Sequence, residues 1–111
     1  MTLNELFAYL NENSGYEIWD GTCEETIKKA LAKTHKDVLS GEIVAAIATH
    51  ASTVSSDATI TRAEATTSLG PLRLRAMRDD APVSDLRRME RTVHAIDGAF
   101  NEEALALRQR S

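Results

Sequence analysis

The sequence has little of several things that mark common functional classes. Its single cysteine, Cys23, excludes an internal disulfide and a cysteine-based zinc site. Its longest strongly apolar run, Ile43 to Ala48, is far shorter than the ~20 residues that span a bilayer. No basic segment of the secretory type opens the chain. These features predict a soluble, cytoplasmic protein that does not associate with membranes.

Patterns typical of catalysis are also missing. His35, His50 and His94 have neither the spacing of metal ligands nor a cysteine partner. Cys23 is expected in the first turn of a helix, where amides favour a thiolate, but the two glutamates that follow it oppose that effect. There is no Gly-rich phosphate loop and no nucleotide fingerprint. We therefore predict a protein that is not an enzyme and that has no cofactor and no metal.

Positive charge is divided between two halves of the chain. All four lysines lie at or before Lys36, and all nine arginines lie at or after Arg62. Nine acidic residues accompany the lysines in residues 1–60, and eight accompany the arginines in residues 61–111. The net charge of −4 argues against non-specific DNA binding, in which a basic surface supplies most of the affinity. The asymmetry indicates either two contact surfaces or two solvated helix faces.

Three Thr-x-x-Glu sequences indicate helix starts, at Thr2, Thr22 and Thr61. In such a capping box the Thr hydroxyl accepts a hydrogen bond from a first-turn amide, and the Glu reaches back to the amide of the Thr. Each is followed by a segment that can be helical, and 111 residues have room for one domain. We predict an all-α fold, a compact bundle of five or six short helices forming a single domain over residues 1–111.

Apolar spacing and turn residues predict the limits of the first helices. The first is expected over residues 3–13, ended by Ser14-Gly15. The second is expected to follow the capping box at 22 and to continue through residue 39, with Ser40-Gly41 as its stop. A third is expected from about residue 42 and fades near residue 55, where Ser and Thr weaken helices.

The second half begins with a short helix after the third capping box, closed by Leu69-Gly70-Pro71. Residues 72–80 form either a short helix or an extended segment, because Leu and Arg alternate there; we favour the helix. A long element starts after Pro82, and Asp97-Gly98 is expected to break it. Asn101 is then expected to cap a final helix.

Apolar residues of the last long element repeat with the spacing of a bundle or of a short coiled-coil seam. They are Leu86, Met89, Val93, Ile96 and Phe100. A homodimer through this seam is one hypothesis for how the chain assembles.

Four of the five aromatic residues fall within the first nineteen positions, and two of them lie among acidic residues. Trp and Tyr are favoured at interface hot spots. We therefore predict a partner-binding surface formed by Tyr16, Glu17, Trp19, Asp20 and Glu24, although Trp19 folding back over the core is an alternative. The first function hypothesis is a non-enzymatic protein-binding module. It would be a small inhibitor or adaptor that docks on a basic surface of a partner protein, including one that binds nucleic acid.

Residues 61–80 carry a second hypothesis. A short capped helix, then Leu69-Gly70, then a further segment resembles a helix-turn-helix. Its arginines would face phosphates or guanine edges. They are Arg62, Arg73, Arg75 and Arg78. The alternative function is therefore a DNA-binding regulator.

Overall fold

Helices make up nearly all of the regular structure. The computed structural model describes residues 1–15, 17–19, 21–51, 53–78 and 80–110, apart from the side chain of residue 110, and six helices follow one another in these ranges. They are α1 (Leu3–Asn13), α2 (Cys23–Leu31), α3 (Val38–His50), α4 (Arg62–Ser68), α5 (Gly70–Arg78) and α6 (Val83–Arg110). The all-α prediction is confirmed. Strand-like pairing in the described ranges is limited to one bridge, between Thr2 and Thr59.

Local hydrogen bonds set the starts of three helices. The hydroxyls of Thr2, Thr22 and Thr61 accept from the amide of the Glu three residues later, at 3.1, 3.2 and 3.1 Å. Each Glu carboxylate accepts from the amide of its Thr in return. All three predicted capping boxes are confirmed, and α1 has the predicted limits.

The predicted length of the second helix is wrong. α2 ends eight residues earlier than predicted, and Lys33 just beyond it adopts a left-handed φ of 60°. α3 then begins behind Asp37, whose carboxylate accepts hydrogen bonds from two first-turn amides. This side chain makes a new helix start in the middle of the predicted one. Ser40-Gly41, predicted to be a stop, therefore lies in the first turn of α3.

The packing of His35 explains why a glycine is needed at position 41. The side chain of His35 is buried, with Nε2 at 2.9 Å from the carbonyl oxygen of Ile18 and Nδ1 accepting from the Asp37 amide at 3.1 Å. A Cβ at position 41 would lie 2.7 Å from the Cβ of His35. Glycine at 41 therefore leaves space for the His35 side chain. Through its two ring nitrogens, His35 links the segment before α2, at Ile18, to the start of α3, at Asp37.

The last helix is longer than predicted, so the helices are not all short. α6 has 28 residues, about 42 Å at 1.5 Å per residue. The predicted break at Asp97-Gly98 is wrong, because a Cβ at 98 would lie 2.9 Å from the hydroxyl of Tyr9, and glycine allows this close approach of α1. Asn101, predicted to be a cap, lies inside α6 and accepts a hydrogen bond from the guanidinium of Arg62.

The core lies between α6 and the first four helices. α1 contributes four completely buried side chains, and α6 contributes a matching row. These residues are Leu3, Leu6, Phe7 and Leu10 of α1, and Met89, Ala95, Ile96, Ala99 and Phe100 of α6. α1 and α6 are antiparallel, since Tyr9 of α1 lies against Gly98 while the amine of Met1 is 3.3 Å from Glu103. No helix of the described residues is long and apolar enough to cross a bilayer.

Candidate interaction surfaces

The predicted surface around Trp19 is only partly available for binding. Tyr16 and Asp20 lie outside the described residues. Trp19 is half-buried against the core, and its amide donates to Oδ1 of Asn11 at 3.0 Å, while the preceding Ile18 is fully buried. This placement agrees with the alternative in which the indole covers the core.

The two described acids of that surface contact different parts of the chain. The carboxylate of Glu17 lies 2.7 Å from Nζ of Lys36, in an exposed ion pair. The carboxylate of Glu24 accepts from the hydroxyl of Ser56 at 3.1 Å.

The thiol of Cys23 lies at the start of α2. Burial, and then the charges of Glu24 and Asp57, raise the pKa of the Cys23 thiol. A thiolate is therefore disfavoured at Cys23 despite its place at the start of α2.

The helix-turn-helix interpretation of residues 61–80 differs from the structure at its turn. The confirmed helix α5 begins only one residue after α4 ends, whereas a helix-turn-helix has a turn of about 3–4 residues. Two of the predicted DNA-binding arginines also contact acids of the chain. Arg73 lies 3.0 Å from Glu90, and Arg75 pairs with Glu42. DNA binding stays a prediction.

The seam predicted to pair two copies packs inside the bundle. Met89, Ile96 and Phe100 are buried, and Leu86 and Val93 are partly buried. Pairing through these residues would require α6 to leave α1 and α4, which it contacts. The packing of this seam therefore gives the homodimer hypothesis in this form no support, and it stays a prediction.

One cleft, of about 580 Å³, lies between the start of α3, α5 and α6. Across it Arg88 makes a two-point contact with Asp37, at 3.2 and 2.6 Å, and also donates to the Ser40 hydroxyl at 2.6 Å. Burial raises the pKa of Asp37, but the hydrogen bonds and charge of Arg88, with hydrogen bonds from Ser40, outweigh it and hold the pKa below its ordinary value. A second ion pair, between Arg75 and Glu42, joins α5 to α3 in the same cleft. These two pairs link α5 and α6 to the first part of α3.

A second groove, of about 500 Å³, lies between the first half of α1 and the last turns of α6. We call it the α1–α6 groove. Both helices contribute apolar and acidic residues to its lining. The lining residues are Met1, Glu5, Tyr9, Ala99, Glu102, Glu103, Ala106 and Leu107. Three carboxylates therefore surround a shallow floor, since alanine side chains leave space above the α6 backbone.

Tyr9 of α1 lines the α1–α6 groove. Burial raises the pKa of Tyr9, and the charge of the Glu102 carboxylate and hydrogen bonding to it act in the same direction. The carboxylate of Glu5 accepts from the amide and hydroxyl of Thr2, which lowers the pKa of Glu5 and keeps it charged. Nowhere in the described residues do three acidic, histidine or cysteine side chains come close enough to hold a metal ion. The three acids of the groove are therefore spread around its floor.

One pattern in the sequence indicates this groove. The seam spacing continues past Phe100 to Glu103 and Leu107, again at three and four. Among the α6 side chains that the structure describes, Phe100 is the last buried one, and Leu107 is 59% exposed. The row of α6 residues that faces the core therefore continues past the last core residue. Beyond that point its members, Glu103 and Leu107, lie beside α1 and form part of the groove.

A third surface is the outer face of α5, formed by Leu74 and Met77. These side chains are 60% and 68% exposed, and their spacing of three places them on one side of the helix. α5 has no buried residue; its Leu72 and Ala76 face the cleft instead. Two large apolar side chains thus lie on a solvent-facing surface of a basic helix.

No protein-family model, curated protein or solved structure matches this chain.

Proposed function

We propose that this chain is a non-enzymatic protein-binding module whose α1–α6 groove takes a basic amphipathic helix of a partner protein. The observation that carries the proposal is the position of three carboxylates, Glu5, Glu102 and Glu103, around an apolar floor between two helices. An amphipathic helix that enters a groove presents apolar side chains at i, i+3 or i+4 to the floor. Lysines or arginines beside those residues would meet the carboxylates.

The charge arrangement favours a basic partner over an acidic one. Glu102 is exposed and can approach a cation without full desolvation. Glu103 is partly exposed and already pairs with the amine of Met1, so a partner's cation would have to share that carboxylate. Complementary charges of this kind raise the association rate and select against acidic partners. A partner whose basic surface also binds nucleic acid would be inhibited, because the carboxylates would compete with phosphate groups.

The size of the groove implies a transient complex. Helix-in-groove contacts of this extent fall at the low end of specific interfaces, which bury less than about 1,200 Å² in total. We expect a dissociation constant of about 1–100 μM near physiological salt, and weaker binding at high salt because the carboxylates lie at the rim. This affinity suits an adaptor or a reversible inhibitor.

A titration with a designed peptide tests the proposal. The peptide is a labelled helix of about four turns, with leucines at i, i+3, i+4 and i+7 and lysines on its other face, and binding is followed by fluorescence anisotropy. A peptide with glutamates in place of the lysines is the control. Only the lysine peptide should bind.

Two variants with the same change in charge locate the binding site. Glu102→Gln, which keeps an acceptor for the Tyr9 hydroxyl, should weaken binding about 2–5-fold, the effect of one exposed ion pair. Glu17→Gln, in the surface predicted around Trp19, should leave binding unchanged. Ala106→Arg should reduce binding more than tenfold, because it fills the floor and adds a positive charge that repels the lysines of the peptide. Equal effects of the two glutamine variants, or no effect of Ala106→Arg, would contradict the groove as the site.

A further inference from the structure

The outer face of α5 has the chemistry that the α1–α6 groove is proposed to take. Leu74 and Met77 have the i, i+3 spacing of groove-binding anchors. The helix that carries them has three arginines and no acidic residue. Arg73 and Arg75 already pair with Glu90 and Glu42, but both side chains are about half exposed, and a guanidinium has five donors with which to reach a second carboxylate.

The two surfaces of one molecule cannot meet. α5 lies beside the early part of α6, where Arg73 contacts Glu90, whereas the groove lies beside Glu103. These two positions are about 20 Å apart along a straight helix. The whole chain extends 47 Å in its longest direction and about half of that in the others. The basic helix and the acidic groove therefore belong to different ends of an elongated molecule.

We infer that the α1–α6 groove binds the outer face of α5 of a second copy of this chain. The inference rests on the proposed function, since it names an occupant for the same groove. Leu74 and Met77 would lie over the alanines of the floor, and the arginines would face Glu102 and Glu103. Because the two contacting surfaces differ, the contact is head-to-tail, and each added copy leaves one groove and one α5 open.

The strength of this contact is limited by the net charge. Each copy carries −4, so copies repel one another at long range, while the local contact joins opposite charges. At physiological salt the long-range part is screened beyond about 8 Å, and the local attraction decides the outcome. We expect self-association that grows with protein concentration and weakens at high salt.

Two variants, each of which blocks one surface, give a direct test by analytical ultracentrifugation of the full chain. Leu74→Glu with Met77→Glu blocks α5, and Ala106→Arg blocks the groove; all three positions are exposed, so the fold should persist, as circular dichroism will show. The wild-type mass should rise with concentration beyond that of a dimer. Each variant alone should stay monomeric. An equimolar mixture of the two should form dimers and nothing larger, because it restores one open groove and one open α5.

The control is Leu31→Glu, which changes an exposed leucine of α2 that lines neither surface and should associate like the wild type. A wild-type chain that stays monomeric at the highest concentration, or a mixture that stays monomeric, would overturn the inference. Binding of the lysine peptide by a monomeric chain would overturn self-recognition alone and leave the proposed function standing. Absence of both peptide binding and self-association would overturn both.

Discussion

α1 and α5 are helices of similar length that are held in opposite ways. α1 buries four large apolar side chains completely, and its start is fixed by a capping box and by segment 56–60, whose carbonyl at Ala58 accepts from Leu3 at 2.9 Å. α5 buries none of its residues and exposes Leu74 and Met77. In α1 the apolar residues serve the fold. In α5 the apolar residues on the outer face are mostly exposed, so they contribute little to the fold.

This difference predicts where stability and where binding are located. Burial of apolar surface is the dominant favourable term in folding, so changes in α1 should alter the free energy of unfolding. Changes on the outer face of α5 should alter association and leave stability nearly unchanged.

Truncating a core residue of α1 should have the largest effect. Phe7→Ala should lower the free energy of unfolding by about 3–5 kcal/mol, since it empties a fully buried site. Met77→Ala should change it by less than about 0.5 kcal/mol, because the side chain is mostly in solvent. Urea denaturation of both variants measures the difference. A loss of more than about 1 kcal/mol for Met77→Ala would show that α5 is anchored through its outer face.

Breaking the ion pair between α6 and α3 should have an intermediate effect. The Arg88 side chain is 13% exposed and that of Asp37 is 36% exposed, so the pair lies between surface pairs and buried ones. Arg88→Met should therefore cost about 2 kcal/mol of unfolding free energy. Asp37→Asn keeps the helix cap but loses the charge. If the pair is the cause, the double variant will cost less than the sum of the two single variants.

Two glycine substitutions contrast the core region with α5. Gly41→Ala should destabilise by about 1–2 kcal/mol, since the new methyl would meet the Cβ of His35 and this clash exceeds the gain in helix propensity. Gly70→Ala, at the first residue of α5, meets nothing within 4 Å beyond its chain neighbours. The gain in helix propensity is offset because Pro71 disfavours a helical residue with a Cβ before it, so the change should be nearly neutral, within about 0.5 kcal/mol. Thermal unfolding compares the two. A Gly41→Ala protein as stable as the wild type would contradict the packing given for His35.

Acid should weaken the contact between α6 and α3. The pKa of Asp37 lies below its ordinary value of 3.8 in the folded chain, so the stability that its charge contributes is complete above about pH 4. It is lost as the pH falls further, through the lowered pKa of the folded state. Urea denaturation at about pH 6 and pH 3 should show a smaller loss for Arg88→Met than for the wild type. Equal losses would mean that the pair does not set the pKa of Asp37.

The sequence predicted those parts of the fold that depend on neighbouring residues. The capping boxes at Thr2, Thr22 and Thr61 are local hydrogen-bond patterns, and all three form. Gly41 and Gly98 were misinterpreted as a helix stop and a helix break because each is needed for a contact with a distant side chain, of His35 and of Tyr9 respectively. Glycine as a stop and glycine as a close-packing residue look alike until the partner is known.

The α1–α6 groove could not be predicted for a similar reason. Its acids come from residues about 100 positions apart, and only the antiparallel packing of α1 and α6 brings Glu5 near Glu102 and Glu103. The predicted acidic surface instead grouped residues that are close in sequence. Of these, Glu17 and Glu24 contact different segments, at Lys36 and Ser56.

The most direct test of the proposed function is to map the lysine peptide on the folded chain by NMR. Chemical shifts of backbone amides are followed in labelled protein as the peptide is added. We predict that the largest changes fall on the groove residues of α1 and α6, from Glu5 to Tyr9 and from Ala99 to Leu107. Changes centred on Glu17 and Glu24, or on α5, would contradict the account.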